Sequence, residues 1–333
     1  MISSMIEPVS PAVISKAVEF LRLGQLVAIP TETVYGLAAD ASNPQAISRL
    51  YTAKGRPTNH PVIVHLHCAE QAAQWARDIP ASFYDFARAF WPGPLTIVLR
   101  RAARVLDQVT GGQDTVALRM PSHPVARRLL EEFRGGLAAP SANKFGRLSP
   151  TTAEAVIHEF GNEISLVLDG GPCEVGIEST ILDLFSPTPR ILRPGVILAE
   201  ELEAATGIAV SPQILPPSAA DVRVPGSLPA HYAPSTPLLL LPFDALTKRL
   251  QAGLDRGDSV AVLSFQAPPG QLPGTTWVQA SAAAREYARN LYAELRRLDE
   301  LKVSYILVQE PPATPEWSGV LDRLKRAATT DRN

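Results

Sequence analysis

The sequence predicts two α/β domains joined by a proline-rich connector. Three observations carry that prediction. Short apolar runs alternate with amphipathic stretches from Leu26 to about Thr206; the pattern breaks in a segment with seven prolines, at 212, 216, 217, 225, 229, 234 and 237; and a second alternation begins at Leu238. Strands alternating with helical patterns define an α/β layer architecture, and prolines this dense make a stiff, extended spacer. The boundaries read as 1–205, 206–237 and 238–333.

In the first domain the apolar runs place strands at 26–29, 62–66, 95–99, 116–118, 166–168 and 180–184. Helical patterns lie at 46–53, 83–90, 125–133 and 153–160. Pro124 opens one of these helices, and Pro150 with Thr151 and Thr152 introduces another, because proline's fixed φ suits a first helical turn. In the second domain strands are predicted at 238–241, 260–265, 277–279 and 305–309, with helices at 246–254, 282–298 and 319–328. That is enough for one small open, Rossmann-like sheet. It carries no glycine-rich loop, Cys/His cluster or usefully spaced acidic pair, so no chemistry is expected there.

Composition narrows the function. With 333 residues the chain can bury a real core without disulfide or metal staples. Its 31 Lys plus Arg against 33 Asp plus Glu leave a net charge of −2. A chain so near neutrality is no general polyanion binder, and any anion must be held by a few local residues. Cys68 and Cys173 stand in unlike contexts with no CxxC pair, and are expected to be reduced thiols of a cytoplasmic protein. No apolar run approaches the roughly 18 residues of a membrane span, and the N-terminus lacks the basic and apolar stretches of a signal peptide.

Neither GxxxxGK[ST] nor GxGxxG occurs, nor do HExxH, GxSxG or HxE…CxxC. Nucleotide handling would therefore rest on scattered basic and hydroxyl residues. Five clusters supply them. Pro30-Thr31-Glu32-Thr33-Val34-Tyr35-Gly36-Leu37 follows an apolar strand, at the edge where open α/β sheets place ligands; a loop whose threonines bond their own backbone would look the same. Lys54-Gly55-Arg56-Pro57-Thr58-Asn59-His60-Pro61 ends a helical pattern. Cations there suit the macrodipole, yet a glycine break and two prolines make it a rigid grip for an anion. Thr115 to Pro121 is an apolar strand ending in Arg119, whose charge needs either a phosphate or carboxylate ligand or an internal salt bridge. Ala139-Pro140-Ser141-Ala142-Asn143 with Ser149-Pro150-Thr151 lets a ligand approach backbone closely. Glu178-Ser179-Thr180 opens one strand, and Arg190 to Gly195 ends the next. Hydroxyls and cations dominate and no matching surplus of buried acids is expected, which describes a cavity for anions.

The runs PTETVYGL, KGRP…VIVH, VALRMPSHP, APSANKFGRLSPT, GIESTI and RILRPG, in this order and spacing, resemble the YrdC-type family of threonylcarbamoyl-AMP synthases over about residues 13–200. The HYAP stretch and the C-terminal α/β unit are similar to that family's long, two-domain form. The resemblance implies a YrdC-like twisted mixed sheet with flanking helices. It also implies an enzyme joining L-threonine, bicarbonate and ATP into threonylcarbamoyl-AMP and pyrophosphate, for transfer by a partner enzyme to adenosine 37 of tRNA.

Position by position, it implies that Lys54, Arg56 and His60 grip the triphosphate; near His60 the family often has asparagine, and this chain offers either Asn59 or His60 for that contact. Ser141, Asn143 and Ser149 would hold nucleotide or phosphate with Thr115 beside them, and Arg193 would add positive charge. Thr33, His65, Arg119, the Ala139 backbone and Ser179 would hold threonine, and Tyr232 would close over the nucleotide. Magnesium would ride on the phosphates, with no metal site of the protein's own. The rival is an RNA-binding module of the same fold; near-zero net charge and the lack of interleaved basic and aromatic stretches argue against it, and against strong direct tRNA binding. A different carbamoyl transfer would call for zinc-finger cysteines and an acylphosphatase-like segment, and both are missing.

Overall fold

The computed structural model describes residues 6–212, 222–270 and 272–328. The chain divides into two units: Met1–Phe145 with Ser149–Ser227, and Gly146–Leu148 with Leu228–Asn333. The middle of the predicted connector, 213–221 with Pro216 and Pro217, lies outside the described residues.

The first unit runs β1 (Ile6–Pro8), α1 (Pro11–Arg22), β2 (Val27–Ile29), β3 (Gly36–Asp40), α2 (Pro44–Lys54), β4 (Ile63–His65), α3 (Ala72–Trp75), β5 (Ala76–Arg77), α4 (Ala81–Phe90), β6 (Leu95–Arg101), α5 (Asp107–Thr110), β7 (Thr115–Arg119), α6 (Pro124–Phe133), β8 (Leu137–Ala138), α7 (Ala153–Phe160), β9 (Leu166–Asp169), β10 (Thr180–Asp183), β11 (Arg190–Arg193) and α8 (Ala199–Thr206). Its strands form one mixed sheet in the order β1-β9-β2-β3-β8-β4-β7-β6-β10-β11, with β5 pairing β6. All six strands and four helices predicted for this part of the chain are present. The elements the apolar pattern did not announce are α8, short strands and single helical turns, and those that start before Leu26.

Helix caps follow local chemistry. Ser10 accepts from Val13 N–H ahead of Pro11, Asn43 accepts from Gln45 and Ala46 N–H ahead of Pro44, and Thr152 accepts from Ala155 N–H. Gly55 ends α2 at φ +60°, a left-handed conformation that glycine takes without a Cβ penalty.

The two halves of the sheet are covered differently, and this places the site. Over β9, β2, β3 and β8 both faces are apolar. One packs under α1 and α6 through Ile14, Val18, Leu21, Leu129 and Leu130, against Val27, Ile29, Leu137 and Leu166. The other joins the main core through Ala28, Leu37, Ala138 and Val167. Over β4, β7, β6 and β10 the main core continues beneath Val64, Leu118, Ile97, Leu99 and Leu182. Pairing of His65 with Leu137 carries the α1/α6 face onto β4. On that face β4, β7, β6 and β10 present only a small apolar strip of Ile63, Ala117, Val98 and Ile181, topped by Val224.

The second unit holds β12 (Leu238–Leu241), α9 (Phe243–Leu254), β13 (Val260–Ser264), β14 (Thr275–Gln279), α10 (Ala284–Glu300), β15 (Tyr305–Gln309) and α11 (Ser318–Ala328). Its sheet is wholly parallel, in the order β12-β15-β13-β14, as an open α/β sheet requires. Every element predicted there is present.

Candidate active site

Period-2 alternation decides which side chains share this second face of the first sheet. Register pairs His65 with Arg119, Arg119 with Thr96, Thr96 with Ile181 and Ile181 with Arg193. His65, Arg119, Thr96 and Arg193 therefore stand on one rung of four strands that are far apart in sequence. Ser179, just before β10, joins the row: its hydroxyl is 2.7 Å from that of Thr96, and Arg193 donates to its carbonyl at 2.8 Å. Thr115 lies on the same face at the opposite end of β7, four residues or about 13 Å from Arg119.

A second group gathers where α2 runs into β4. Lys54 is buried and its ammonium donates to the carbonyls of Ser141, at 2.5 Å, and Asn143. Arg56 donates to Pro61 O at 2.7 Å and stacks 5.5 Å from the Phe145 ring, which His60 also meets at 5.6 Å. Lys54, Arg56, His60, Ser141 and Asn143 are thus one cluster. Burial, with Arg56 close by, pushes the Lys54 pKa well below lysine's ordinary range.

Buried acids are the main correction to the sequence reading. Arg119 is engaged by Glu32: its Nη2 donates to Glu32 Oε1 at 2.8 Å, both side chains being about 5% exposed. Glu32 Oε2 also accepts from Ser122 N–H. The Ser149 hydroxyl donates to buried Glu178 at 2.5 Å, and Asp183 is buried against Arg190. Desolvation works against the Glu32 charge, but Arg119 outweighs it and holds the carboxyl below its usual range. The internal salt bridge left open for Arg119 is therefore present, and its Nε donates to Gly93 O at 3.3 Å. Glu32 was visible as the one acid of PTETVYGL, yet nothing in the sequence pointed it at Arg119, 87 residues away.

The remaining candidates fall as follows. Thr31 caps its own turn, accepting from Thr33 and Val34 N–H, and its hydroxyl meets that of fully buried Thr33 at 2.9 Å. Ala139 spends its N–H on Ile63 O, so its carbonyl is the group left for a ligand. Tyr232 is buried in the second unit, with its ring 5.3 Å from the Arg323 guanidinium and beside Tyr292. From the connector, Val224 and Val222 pack against the apolar strip of this face of the first sheet. Arg223 between them bonds the carbonyls of Asn59 and Gly111, and Arg193 donates to Pro225 O. Among the described residues no trio of His, Cys, Asp or Glu could hold a metal ion, and no helix is long and apolar enough to cross a membrane.

Two consequences can be measured. Gly195 packs so tightly that a Cβ would stand 2.4 Å from Thr180 N and 2.9 Å from the Ser179 carbonyl carbon. Gly195→Ala must push that backbone away and is expected to cost about 1–3 kcal/mol in urea unfolding; an unchanged midpoint would mean the close approach is not there. His65 is fully buried, its Nδ1 has no partner, and burial together with Arg119 lowers its pKa to about 3. The unfolded chain protonates this group near 6.5, so its contribution is complete above that pH and is lost as pH falls from there toward 3, at up to about 1.4 kcal/mol per unit. Between pH 7 and 5 the stability of His65→Gln should fall less steeply than that of the wild type; identical slopes would count against a neutral, buried His65.

Comparison with known proteins adds what geometry alone does not. Residues 19–195 match the family model described as Telomere recombination, and 197–329 the one described as Threonylcarbamoyl-AMP synthase, C-terminal domain. The chain is 38% identical to the threonylcarbamoyl-AMP synthase of Pyrococcus abyssi, over 94% of this chain and 93% of that protein. It is 37% identical to that of Bacillus subtilis, over 95% and 92%. The crystal structure of P. abyssi Sua5 complexed with L-threonine matches with a TM-score of 0.88 at 36% identity, covering 97% of this chain and 96% of that one. Escherichia coli YciO, at 20% identity and a TM-score of 0.53, shares the fold. Relatives and family match together define an adenylate-forming enzyme of the nucleotidyltransferase kind. The chain belongs to the threonylcarbamoyl-AMP synthase family, in its two-domain form, and the relatives support this reading and not the RNA-binding alternative.

Proposed function

We propose that the face of the first sheet carrying His65, Arg119, Thr96 and Arg193 holds L-threonine beside the triphosphate of ATP, and that bicarbonate completes the substrate set. The observation that carries this reading is the shared rung of His65, Arg119, Thr96 and Arg193, with Lys54, Arg56 and His60 gathered where the chain enters β4. In this assignment Arg119, His65, Thr33, Ser179 and the Ala139 carbonyl receive threonine. Lys54, Arg56, His60, Ser141, Asn143 and Ser149 receive the nucleotide and its phosphates, with Thr115 and Arg193 adding a hydroxyl and a charge.

The chemistry needs little more than positioning. The threonine amine adds to the carbon of bicarbonate with loss of water, forming a carbamate. One carbamate oxygen attacks the α-phosphorus, the bond to the β-phosphate oxygen breaks, and pyrophosphate leaves. The nucleophile is already an anion, so no strong general base is required. What the protein must do is align like charges and neutralise them in a water-poor setting. Glu32 and Glu178 are both engaged by protein partners, so a magnesium ion accompanying ATP would be carried by phosphate oxygens. The adduct would then serve a cytoplasmic transferase acting on tRNA.

Pyrophosphate release from ATP, measured with threonine and bicarbonate supplied or withheld, tests the reading. Release that requires both is expected; release indifferent to threonine would overturn it.

A further inference from the structure

The Arg119 guanidinium is held by two segments of the first unit that are distant in sequence. Its Nε donates to Gly93 O at 3.3 Å, and its Nη2 donates to Glu32 Oε1 at 2.8 Å. Tying two nitrogens of a planar fork sets the plane of the whole group. Glu32 also does more than balance the charge. Its second oxygen accepts from Ser122 N–H at 3.1 Å, so one carboxylate grips both Arg119 and the turn that follows it.

The loop that presents Glu32 is fixed in its turn. Glu32 O accepts from Val175 N–H at 2.7 Å, and Thr33 O accepts from Gly176 N–H at 3.0 Å. Tyr35 N–H donates to Pro150 O at 2.9 Å, and the Thr31 hydroxyl closes the loop on itself by donating to Val34 O at 2.6 Å. All of these residues belong to the first unit. A resident carboxylate beside Arg119 weakens the attraction felt by an incoming one, so it is a poor device for drawing a carboxylate in. It is a good device for orientation, because a donor group fixed in advance loses less freedom when it takes up a ligand.

We infer that Glu32 is a positioning residue of the threonine subsite: through its bonds to the Arg119 guanidinium and to Ser122 N–H, it sets the plane in which Arg119 meets the substrate carboxylate. The inference rests on the assignment of Arg119 to threonine.

Glu32→Gln, made in the full chain, tests it with threonine and ATP varied separately. Glutamine keeps the size of the side chain but offers one acceptor where Arg119 and Ser122 N–H need two. It should raise the KM for threonine about 10-fold, the scale of one lost charged hydrogen bond, with kcat and the KM for ATP within about twofold. Glu32→Ala loses both bonds and should raise the KM for threonine further; where it fails to fold, the glutamine variant still decides. L-Threonine amide lacks the carboxylate, and as a competitor it should bind wild type and Glu32→Gln within about twofold. A KM for threonine that is unchanged or lowered in Glu32→Gln, or equal weakening of threonine and its amide, overturns the inference when Arg119→Lys does raise the threonine requirement. An unchanged requirement in Arg119→Lys overturns the threonine assignment of Arg119, and this inference with it.

Discussion

Arg119→Met is expected to destabilise the first unit by about 3–5 kcal/mol, because it leaves the Glu32 carboxylate buried without its counter-charge. Glu32→Leu alone should cost a similar amount by stranding the guanidinium. The double variant should recover most of the loss, since well-packed apolar groups replace a buried ion pair at little net cost. Urea unfolding of the two single variants and the double closes the cycle; additive losses would mean that the two charges do not depend on each other. Function separates from stability here. Arg119→Lys keeps a positive charge near Glu32 but replaces a planar fork with a point charge, so it should raise the threonine concentration needed for half-maximal rate. Unchanged threonine dependence would remove Arg119 from the carboxylate subsite.

Lys54→Ala is expected to slow pyrophosphate release roughly 30- to several-thousand-fold, the rate equivalent of about 2–5 kcal/mol for a buried charge contact. The side chain has two tasks. It satisfies the carbonyls of Ser141 and Asn143, and it supplies the cation nearest to both of those residues. Loss of the first loosens the 141–145 loop; loss of the second leaves phosphate charge unbalanced. Thermal unfolding read beside the rate separates the two, because the first task moves both measurements and the second moves only the rate. Near-normal turnover would remove Lys54 from the triphosphate site.

Much of this was legible in the sequence, for identifiable reasons. Val62-Ile63-Val64, Val116-Ala117-Leu118 and Ile181-Leu182 are apolar runs that announce buried strands, and His65, Arg119 and Ser179 stand at or next to the ends of those strands. The elements missed lack that signal. Gly36-Leu37-Ala38-Ala39-Asp40 is poor in β-formers and becomes β3 because its neighbours β2 and β8 pair with it. α1 does carry a Ser-Pro cap, but ahead of the first apolar strand. Glu32 and Glu178 were each in view within a motif; their partners lie 87 and 29 residues away, and long-range pairing leaves no local pattern. The same holds for Gly146–Leu148, which sequence order gives to one domain and hydrogen bonding to the other.

A crystal structure of the full chain with L-threonine and a non-hydrolysable ATP analogue shows whether one face of one sheet receives both substrates. The threonine carboxylate is expected against Arg119 with His65 beside it, and the analogue's phosphates against Lys54 and Arg56. Either ligand seated on another surface, with those four side chains untouched, would overturn the shared site.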